Sequence, residues 1–375
     1  RRQRQMCIRD RSNAIKGYLN YVWIFLAFQI GTILMNHNTI VINSLPLGFE
    51  MPKDKYLTCA LYKFATLSKY QEMREPLRKK MKSCNVFGTI LLANEGINGT
   101  ISGNSEDVIS VVDWLEDNED IGKLEIKRSY SDEIPFYRTK VKLKKEIVTM
   151  GIEDLDPSKS AGQYVEPEEW NKLISNPNVL IIDTRNEYEV SIGTFVNSVN
   201  PGLSSFRDFP GWATDNLSKD KNKKIAMFCT GGIRCEKSTA LLRERGFDEV
   251  YHLKGGILNY LAEVPEKDSL WRGECFVFDN RVAVDHDLNK GSYDQCHACR
   301  RPITEDNKKS QRYVRGVSCE FCFSEVTDQR KLQFAERQKQ IDLAKGRGEQ
   351  HIGQDVSKVN YERRLKKQSR MFQGE

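Results

Sequence analysis

The spacing of apolar residues changes several times along the chain, and each change marks a boundary. Between Met51 and about Gly151, runs that alternate apolar with polar positions are separated by runs of helical period. Tyr56–Phe64 (YLTCALYKF) reads as a strand. Ser68–Cys84 reads as a helix, with Pro76 expected to restart it because proline removes a backbone donor. Val86–Ala93 is a second strand, and Asn94–Ser102 turns through the Asn98-Gly99 dipeptide into a third. Ser105–Asn118 opens on a serine suited to an N-cap and then follows a helical period. Lys123–Tyr130 closes the set. The order βαββαβ predicts a ferredoxin-like sandwich.

Phe136–Val148 (FYRTKVKLKKEIV) reads as a further extended segment. Residues two apart in a strand share a face, so Arg138, Lys140, Lys142 and Lys144 are expected on one side and Val141 and Leu143 on the other. A basic stripe of this kind suits a phosphate backbone. A solvated strand face would carry the same pattern.

Residues 151–172 are rich in Pro, Gly and acidic side chains and read as a linker. Beyond it, Asn178–Arg185, Lys224–Thr230 and Glu249–Gly256 contain short continuous apolar runs, as parallel strands covered on both faces require. A helical pattern over Cys235–Arg245, stopped by Gly246, lies between the last two. Residues 173–272 are therefore expected to form a parallel α/β domain. His252, inside the third strand, reads as a packed residue rather than a catalytic one. Residues 273–375 form a Cys-rich and basic region, with a long polar helix expected over Thr327–Lys345. The fold class is thus α/β and α+β, multidomain.

Composition changes this picture in two places. At 375 residues, 39% hydrophobic and 29% charged, the chain suits a globular protein of two or three domains. Its net charge of +6 is uneven. Residues 300–375 hold 18 Lys/Arg against 11 Asp/Glu, and residues 1–16 hold 6 against 1. A near-neutral body with a basic tail fits a polyanionic partner such as nucleic acid, although a solvated helical tail would look alike. Tyr18–Met35 is apolar and follows a basic stretch, which resembles a signal peptide or short anchor. It contains Asn20, Gln29, Gly31 and Thr32 and no clear cleavage site, so residues 1–50 read rather as an extension foreign to the folded protein. A cytoplasmic protein with no membrane partner is the expectation, unless that extension is genuine.

Candidate chemistry concentrates in Cys229-Thr230-Gly231-Gly232-Ile233-Arg234-Cys235. Cys229 ends an apolar strand and a helix follows. Gly231 and Gly232 permit a tight curl, so that backbone N–H groups and the start of the helix can face the sulfur. Such a cradle favours an ionised, nucleophilic thiol able to host a persulfide. Cysteine phosphatases place five residues between nucleophile and arginine. Here Arg234 comes one residue too early for a phosphate-sized ring, so the loop is sized for sulfur. Cys235 is expected either as a resolving thiol or as a packing residue.

Asp183–Glu189 (DTRNEYE), Cys229–Ser238 (CTGGIRCEKS) and Leu253–Leu261 (LKGGILNYL) together resemble a rhodanese domain. The resemblance implies that Asp183 and Arg185 form a structural acid–arginine pair and that Cys229 is the persulfide-forming cysteine. A wider set adds Ala93–Gly103 (ANEGINGTISG), Gly273–Val284 (GECFVFDNRVAV) and two CxxC pairs in this order. Over about Tyr56 to Cys322, that set resembles the tRNA uridine-34 5-hydroxylase family, TrhO type. The resemblance implies oxygen-dependent conversion of wobble uridine to 5-hydroxyuridine, with molecular oxygen as co-substrate and the tRNA anticodon loop as partner. The residues alone suggest sulfur transfer, and a persulfide or thiosulfate sulfurtransferase is the alternative. A rhodanese-fold binding module without chemistry is a third reading, disfavoured by the intact Cys229, Gly231 and Arg234. The sequence shows no GxGxxG fingerprint, flavin signature or His/carboxylate iron triad.

Cys296, Cys299, Cys319 and Cys322 follow the spacing C-x2-C-x19-C-x2-C. Two thiolate pairs so spaced can meet tetrahedrally around zinc, which would stiffen a module with little core of its own. His297 is a spare donor.

Overall fold

The computed structural model describes residues 55–152, 155–217 and 221–347. The apolar run Tyr18–Met35 and the basic end Tyr361–Arg370 lie outside the described residues. Among the described residues no helix is long and apolar enough to cross a membrane.

The first domain runs β1 (Tyr56–Phe64), α1 (Tyr70–Ser83), β2 (Phe87–Ala93), β3 (Gly96–Gly103), α2 (Ser105–Glu116), β4 (Glu125–Ser131) and β5 (Thr139–Leu143). Its sheet has the order β4-β1-β3-β2-β5. The βαββαβ set is the expected ferredoxin-like one, and β5 extends its edge by pairing parallel to β2. Leu57, Cys59, Leu61, Ile90, Leu92, Ile97 and Ile101 point toward the helices and meet Leu77, Met81, Val108, Val111 and Leu115 in one apolar core. The alternate positions form the opposite face of the sheet, which carries no helix of its own domain.

Three local expectations differ from the structure. Helix α1 continues through Pro76 rather than restarting there. Pro76 sits in the second turn of α1, where its missing N–H costs one helix bond, to the Glu72 carbonyl, without stopping the helix. The N-cap of α2 is Asn104, with Ser105 inside the helix. Extended structure after Phe136 is confined to the five residues of β5, where Val141 is buried and Leu143 is 38% exposed. The edge strand ends there, beyond the reach of α1.

The segment 151–172, expected as a linker, supplies working parts of the second domain. Gln163–Val165 forms β6, an edge strand of the parallel sheet, and Pro167–Ile174 forms α3, with Pro167 at its first turn. Then come β7 (Val179–Asp183), α4 (Glu187–Val190), α5 (Phe209–Leu217), β8 (Lys224–Phe228), α6 (Ile233–Glu244), β9 (Val250–Leu253) and α7 (Gly256–Glu263). The sheet order is β6-β9-β8-β7, parallel throughout. Helices cover both faces: Phe209, Ala240 and Leu241 pack on one, and Trp170, Ile257 and Tyr260 on the other. That double covering is why β7 and β8 read as unbroken apolar runs.

Beyond residue 270 regular structure is sparse until α8 (Asp328–Gly346), which Thr327 caps by accepting the Arg330 N–H at 3.4 Å.

Candidate active site

Strand β8 ends at Phe228, and Cys229 begins a loop whose two ends are tied to different elements. The carbonyls of Cys229 and Thr230 accept from the backbone N–H groups of Ile257 (2.9 Å) and Leu258 (3.1 Å), in the first turn of α7. With its carbonyls turned outward, the loop is free to turn N–H groups inward. Gly232 donates its N–H to Cys229 Sγ at 3.1 Å. It does so at φ +99°, a conformation that side chains rarely adopt. The close approach of α7 depends on Gly256, since a Cβ there would lie 2.5 Å from the Cys229 carbonyl oxygen and 2.7 Å from the Gly232 nitrogen. The glycines of both motifs thus serve one loop.

Burial pushes the Cys229 thiol up. The Cys235 side chain as hydrogen-bond partner, the Arg234 charge and the backbone N–H groups of Cys235 and Gly232 pull it down further. The net result is a lowering to about 5, so the sulfur is ionised at neutral pH. Cys235 moves the opposite way. Burial first, then the neighbouring Cys229 anion, hold its thiol protonated, and Thr184 Oγ1 lies 3.6 Å from its sulfur. One thiolate and one thiol side by side is the arrangement expected when two acids share a site.

Arg234 lies just past the loop in the first turn of α6, folded inward with only 7% of its surface exposed. Its guanidinium grips Glu189 of α4 through two bonds, both 2.7 Å, and reaches Thr230 Oγ1 at 3.4 Å. The planar fork matches a carboxylate in two places at once. Both side chains are buried, so the guanidinium is held by Glu189 and adds its charge to the loop at the cavity wall. Glu189 was quoted within the acid–arginine motif and given no role. A buried carboxylate four residues after an arginine was the available signal.

The pair Asp183–Arg185 is wholly buried, with Arg185 Nε on Asp183 Oδ1 at 2.8 Å and Nη2 on Oδ2 at 2.6 Å. Arg185 also donates to the Gly193 carbonyl and lies over the Trp271 ring. This pair braces the floor of the domain. His252 is packed, with Nε2 3.2 Å from the Gly162 carbonyl oxygen, and burial pushes it down to about 4.

The uncovered face of the first sheet lies opposite this loop, and a cavity of about 430 Å³ separates the two. Cys229, Thr230, Gly231, Ile233 and Arg234 line one wall, and Thr58, Tyr62, Asn98, Thr100 and Lys127 line the facing one. Phe278, Asp279 and Arg281 from the C-terminal region close a third side. The volume falls within the ~300–1,000 Å³ of small-molecule sites. Two contacts hold the domains in this register. Tyr62 donates to Glu236 Oε1 at 2.7 Å. Buried Lys237 of α6 bonds Glu95 at 2.7 Å, Glu146 at 2.8 Å and the Val148 carbonyl at 3.1 Å. Glu95 belongs to ANEGINGTISG, so part of that motif is a docking device.

The strand register also places the basic stripe. Lys140 pairs with Thr89 and Lys142 with Leu91, both of which line the cavity. Paired positions share a face. Lys140 and Lys142 therefore stand on the face that looks into the cavity, and they, Arg138 and Lys144 are all exposed. Burial first, and then the charges of Lys142, Arg138 and Arg300, hold Lys140 below its ordinary value. Arg300, between the two CxxC pairs, is thus among the charges that Lys140 feels. Sequence spacing had no means of placing it there.

In that region Cys296 Sγ lies 3.9 Å from Cys322 Sγ, Cys299 Sγ lies 3.7 Å from Cys319 Sγ, and Cys319 Sγ lies 3.7 Å from Cys322 Sγ. All four sulfurs are within 4.8 Å of one another. Thiolates about 2.3 Å from a tetrahedral ion stand about 3.8 Å apart, so the cluster fits such a metal. The Cys319 N–H donates to Cys322 Sγ at 3.3 Å, as in a knuckle that steadies its own ligands.

Residues 56–147 match the UPF0176 acylphosphatase-like domain, and residues 166–263 match the rhodanese-like domain. The chain carries both, in that order. Solved structures similar to it include a rhodanese-like domain from Anabaena, 20% identical over 29% of this chain and 78% of that one, with a TM-score of 0.25. A rhodanese-related protein from Thermoplasma volcanium is 19% identical over 27% and 93%, with a TM-score of 0.23. A single-domain sulfurtransferase from Saccharomyces cerevisiae is 19% identical over 28% and 92%, with a TM-score of 0.24.

Proposed function

We propose that the protein is a cytoplasmic tRNA-modifying enzyme that hydroxylates wobble uridine to 5-hydroxyuridine, using Cys229 as its reactive group and molecular oxygen as co-substrate. One observation carries this reading. The Cys229 thiolate lies at the wall of a cavity completed by another domain, and a basic strand runs along the same sheet face toward it. A flipped base needs an enclosed pocket, and the strand that bears it needs a phosphate track leading there. A sulfurtransferase acting on a small anion needs the loop alone. The domain order and the motifs of both domains agree with the resemblance to the tRNA uridine-34 5-hydroxylases.

Phe278 supports the same reading. It is 60% exposed although it borders the cavity, and its ring packs edge-on against Phe276. An exposed aromatic ring beside a base-sized pocket offers a stacking face. Phe278→Ala is expected to weaken binding of an anticodon stem-loop by about 1–3 kcal/mol, or roughly 5- to 150-fold, measured by fluorescence anisotropy at fixed salt. Unchanged affinity would remove Phe278 from the interface.

The test of the function is nucleoside analysis of tRNA from cells lacking the gene. Expression of the protein should restore 5-hydroxyuridine, and Cys229→Ser should not. Unchanged nucleosides together with thiocyanate formation from thiosulfate and cyanide would replace this reading with the sulfurtransferase, which the sulfur-sized loop also suits.

In the same reading the four clustered cysteines hold a structural zinc that stiffens the C-terminal module. Metal analysis of freshly reduced protein should give about one zinc per chain, and chelation should lower the thermal midpoint. Less than half an equivalent would contradict it.

A further inference from the structure

Lys127 stands on the cavity-facing side of β4 and is 9% exposed. Its Nζ is buried and makes no hydrogen bond. Its ion-pair partner is the half-exposed Glu125, whose oxygen is 3.8 Å away, too far for a hydrogen bond of ordinary geometry. The Tyr62 ring centroid is 4.7 Å from Nζ, a cation–π contact that uses no N–H. Glu236, which could have taken the ammonium, accepts from Tyr62 instead. Buried ammonium groups are ordinarily hydrogen-bonded as well as ion-paired, because leaving three donors unmet is costly. Burial holds Lys127 below its ordinary value, while Glu125, Glu236 and the Cys229 thiolate favour its charge. The pull of Cys229 puts this amine and that sulfur in one electrostatic neighbourhood, although they come from different domains.

We propose that Lys127 is a substrate-binding residue, whose N–H groups are left unmet by the protein in order to bond an exocyclic carbonyl oxygen of a planar base held against Cys229. This rests on the function proposed above and adds to it the group that reads the base. A uracil ring presents two carbonyl oxygens, and one is conjugated with the C5–C6 double bond. A cation against that oxygen draws electron density onto it, and in an enclosed site that attraction is only weakly screened. Lysine supplies a compact charge suited to a single oxygen, whereas the guanidinium fork prefers two. Of the other cations lining the cavity, Arg281 is already committed to Asp279 and Ser129 and Arg234 to Glu189, and Arg128 is exposed and, by strand alternation, points from the other face of β4.

The test compares full-length Lys127→Met and Lys127→Arg with wild type on tRNA under single-turnover conditions. Thermal midpoint, tRNA affinity and the alkylation rate of Cys229 are measured alongside. Lys127→Met is expected to lower the rate of 5-hydroxyuridine formation at saturating tRNA by about a hundredfold. Its tRNA affinity and alkylation rate should stay within threefold, because the phosphate track and the Gly232 amide are untouched. Lys127→Arg should recover at least tenfold over Lys127→Met, because a donor cation is restored. A Lys127→Met rate within threefold of wild type would overturn the inference. So would a loss matched by Lys127→Arg, or one that follows a fall in thermal midpoint, since either would mark Lys127 as a strut. Wild-type protein that forms no 5-hydroxyuridine would instead remove the function on which the inference stands.

Discussion

Replacing Cys229 with serine is expected to lower turnover by roughly a thousandfold or more while leaving the fold intact. The substitution removes no packing partner of size, and the loop is held by its backbone bonds to α7. What it removes is the anion. Gly232 N–H, Arg234 and Cys235 all favour negative charge at this point, and a serine hydroxyl does not ionise under such modest support. The same field sets a pH dependence. With the Cys229 value lowered to about 5, thiolate is lost only as pH falls through that point. Alkylation by a reagent small enough to enter the cavity should rise through about pH 5 and stay flat between pH 6 and 8. A free cysteine near its ordinary value of about 8.5 would still be climbing there. Gly232→Ala should move the midpoint upward, because the added Cβ would lie 3.0 Å from Tyr62 Oη and φ +99° is strained for alanine. A wild-type rate still rising between pH 7 and 9 would show that the loop does not stabilise the anion, and the proposed enzyme would lose its reactive group.

Lys237→Met is expected to destabilise the protein by about 3 kcal/mol, the low end of what removing one partner from a buried pair costs. The low end applies because Glu95 and Glu146 keep side-chain exposures of 22% and 17%. For a chain of this size the thermal midpoint should fall by about 4 °C. The variant leaves two carboxylates facing each other at the seam between the sheet and α6, so the cavity should open and Cys229 should alkylate faster. The pH dependence carries a sign. Burial raises Glu146, but the Lys237 ammonium and the backbone N–H groups of Met150 and Gly151 outweigh it and hold it below 4.5. A lowered folded value contributes stability that is present above the ordinary value and is lost as pH falls through the lowered one. Without the cation Glu146 loses its largest lowering influence, and protonating it becomes easier. The gap in midpoint between wild type and variant should therefore narrow as pH drops from 6 toward 4. A gap that is absent at pH 7, or that widens in acid, would show that Lys237 does not join the domains.

Much of the site was legible in advance. Cys229, its glycines and the following helix were visible because a strand end, a tight curl and a helix start each leave a local mark. The four metal-type cysteines were visible by spacing, and the stripe Arg138, Lys140, Lys142 and Lys144 by period. The partner of Arg234 was not legible, because nothing local to it shows that its guanidinium meets a buried carboxylate 45 residues upstream. Gln163–Val165 was assigned to a linker for a related reason: three residues are too short for a periodic signal, and their pairing with β9 is a distant event. Lys127 carried no signal at all, since one lysine in a half-buried strand looks like any other.

Local chain chemistry alone determined the element types, the two domain patterns and the sulfur cradle, since each depends on dihedral preference and period within a dozen residues. Only the tertiary structure decided that the bare sheet of one domain closes over the thiol of the other, with Lys237 as the fastening and Lys127 left reaching into the space between. Those facts depend on burial and charge among residues about a hundred positions apart, where desolvation sets whether an ion is paired or waiting.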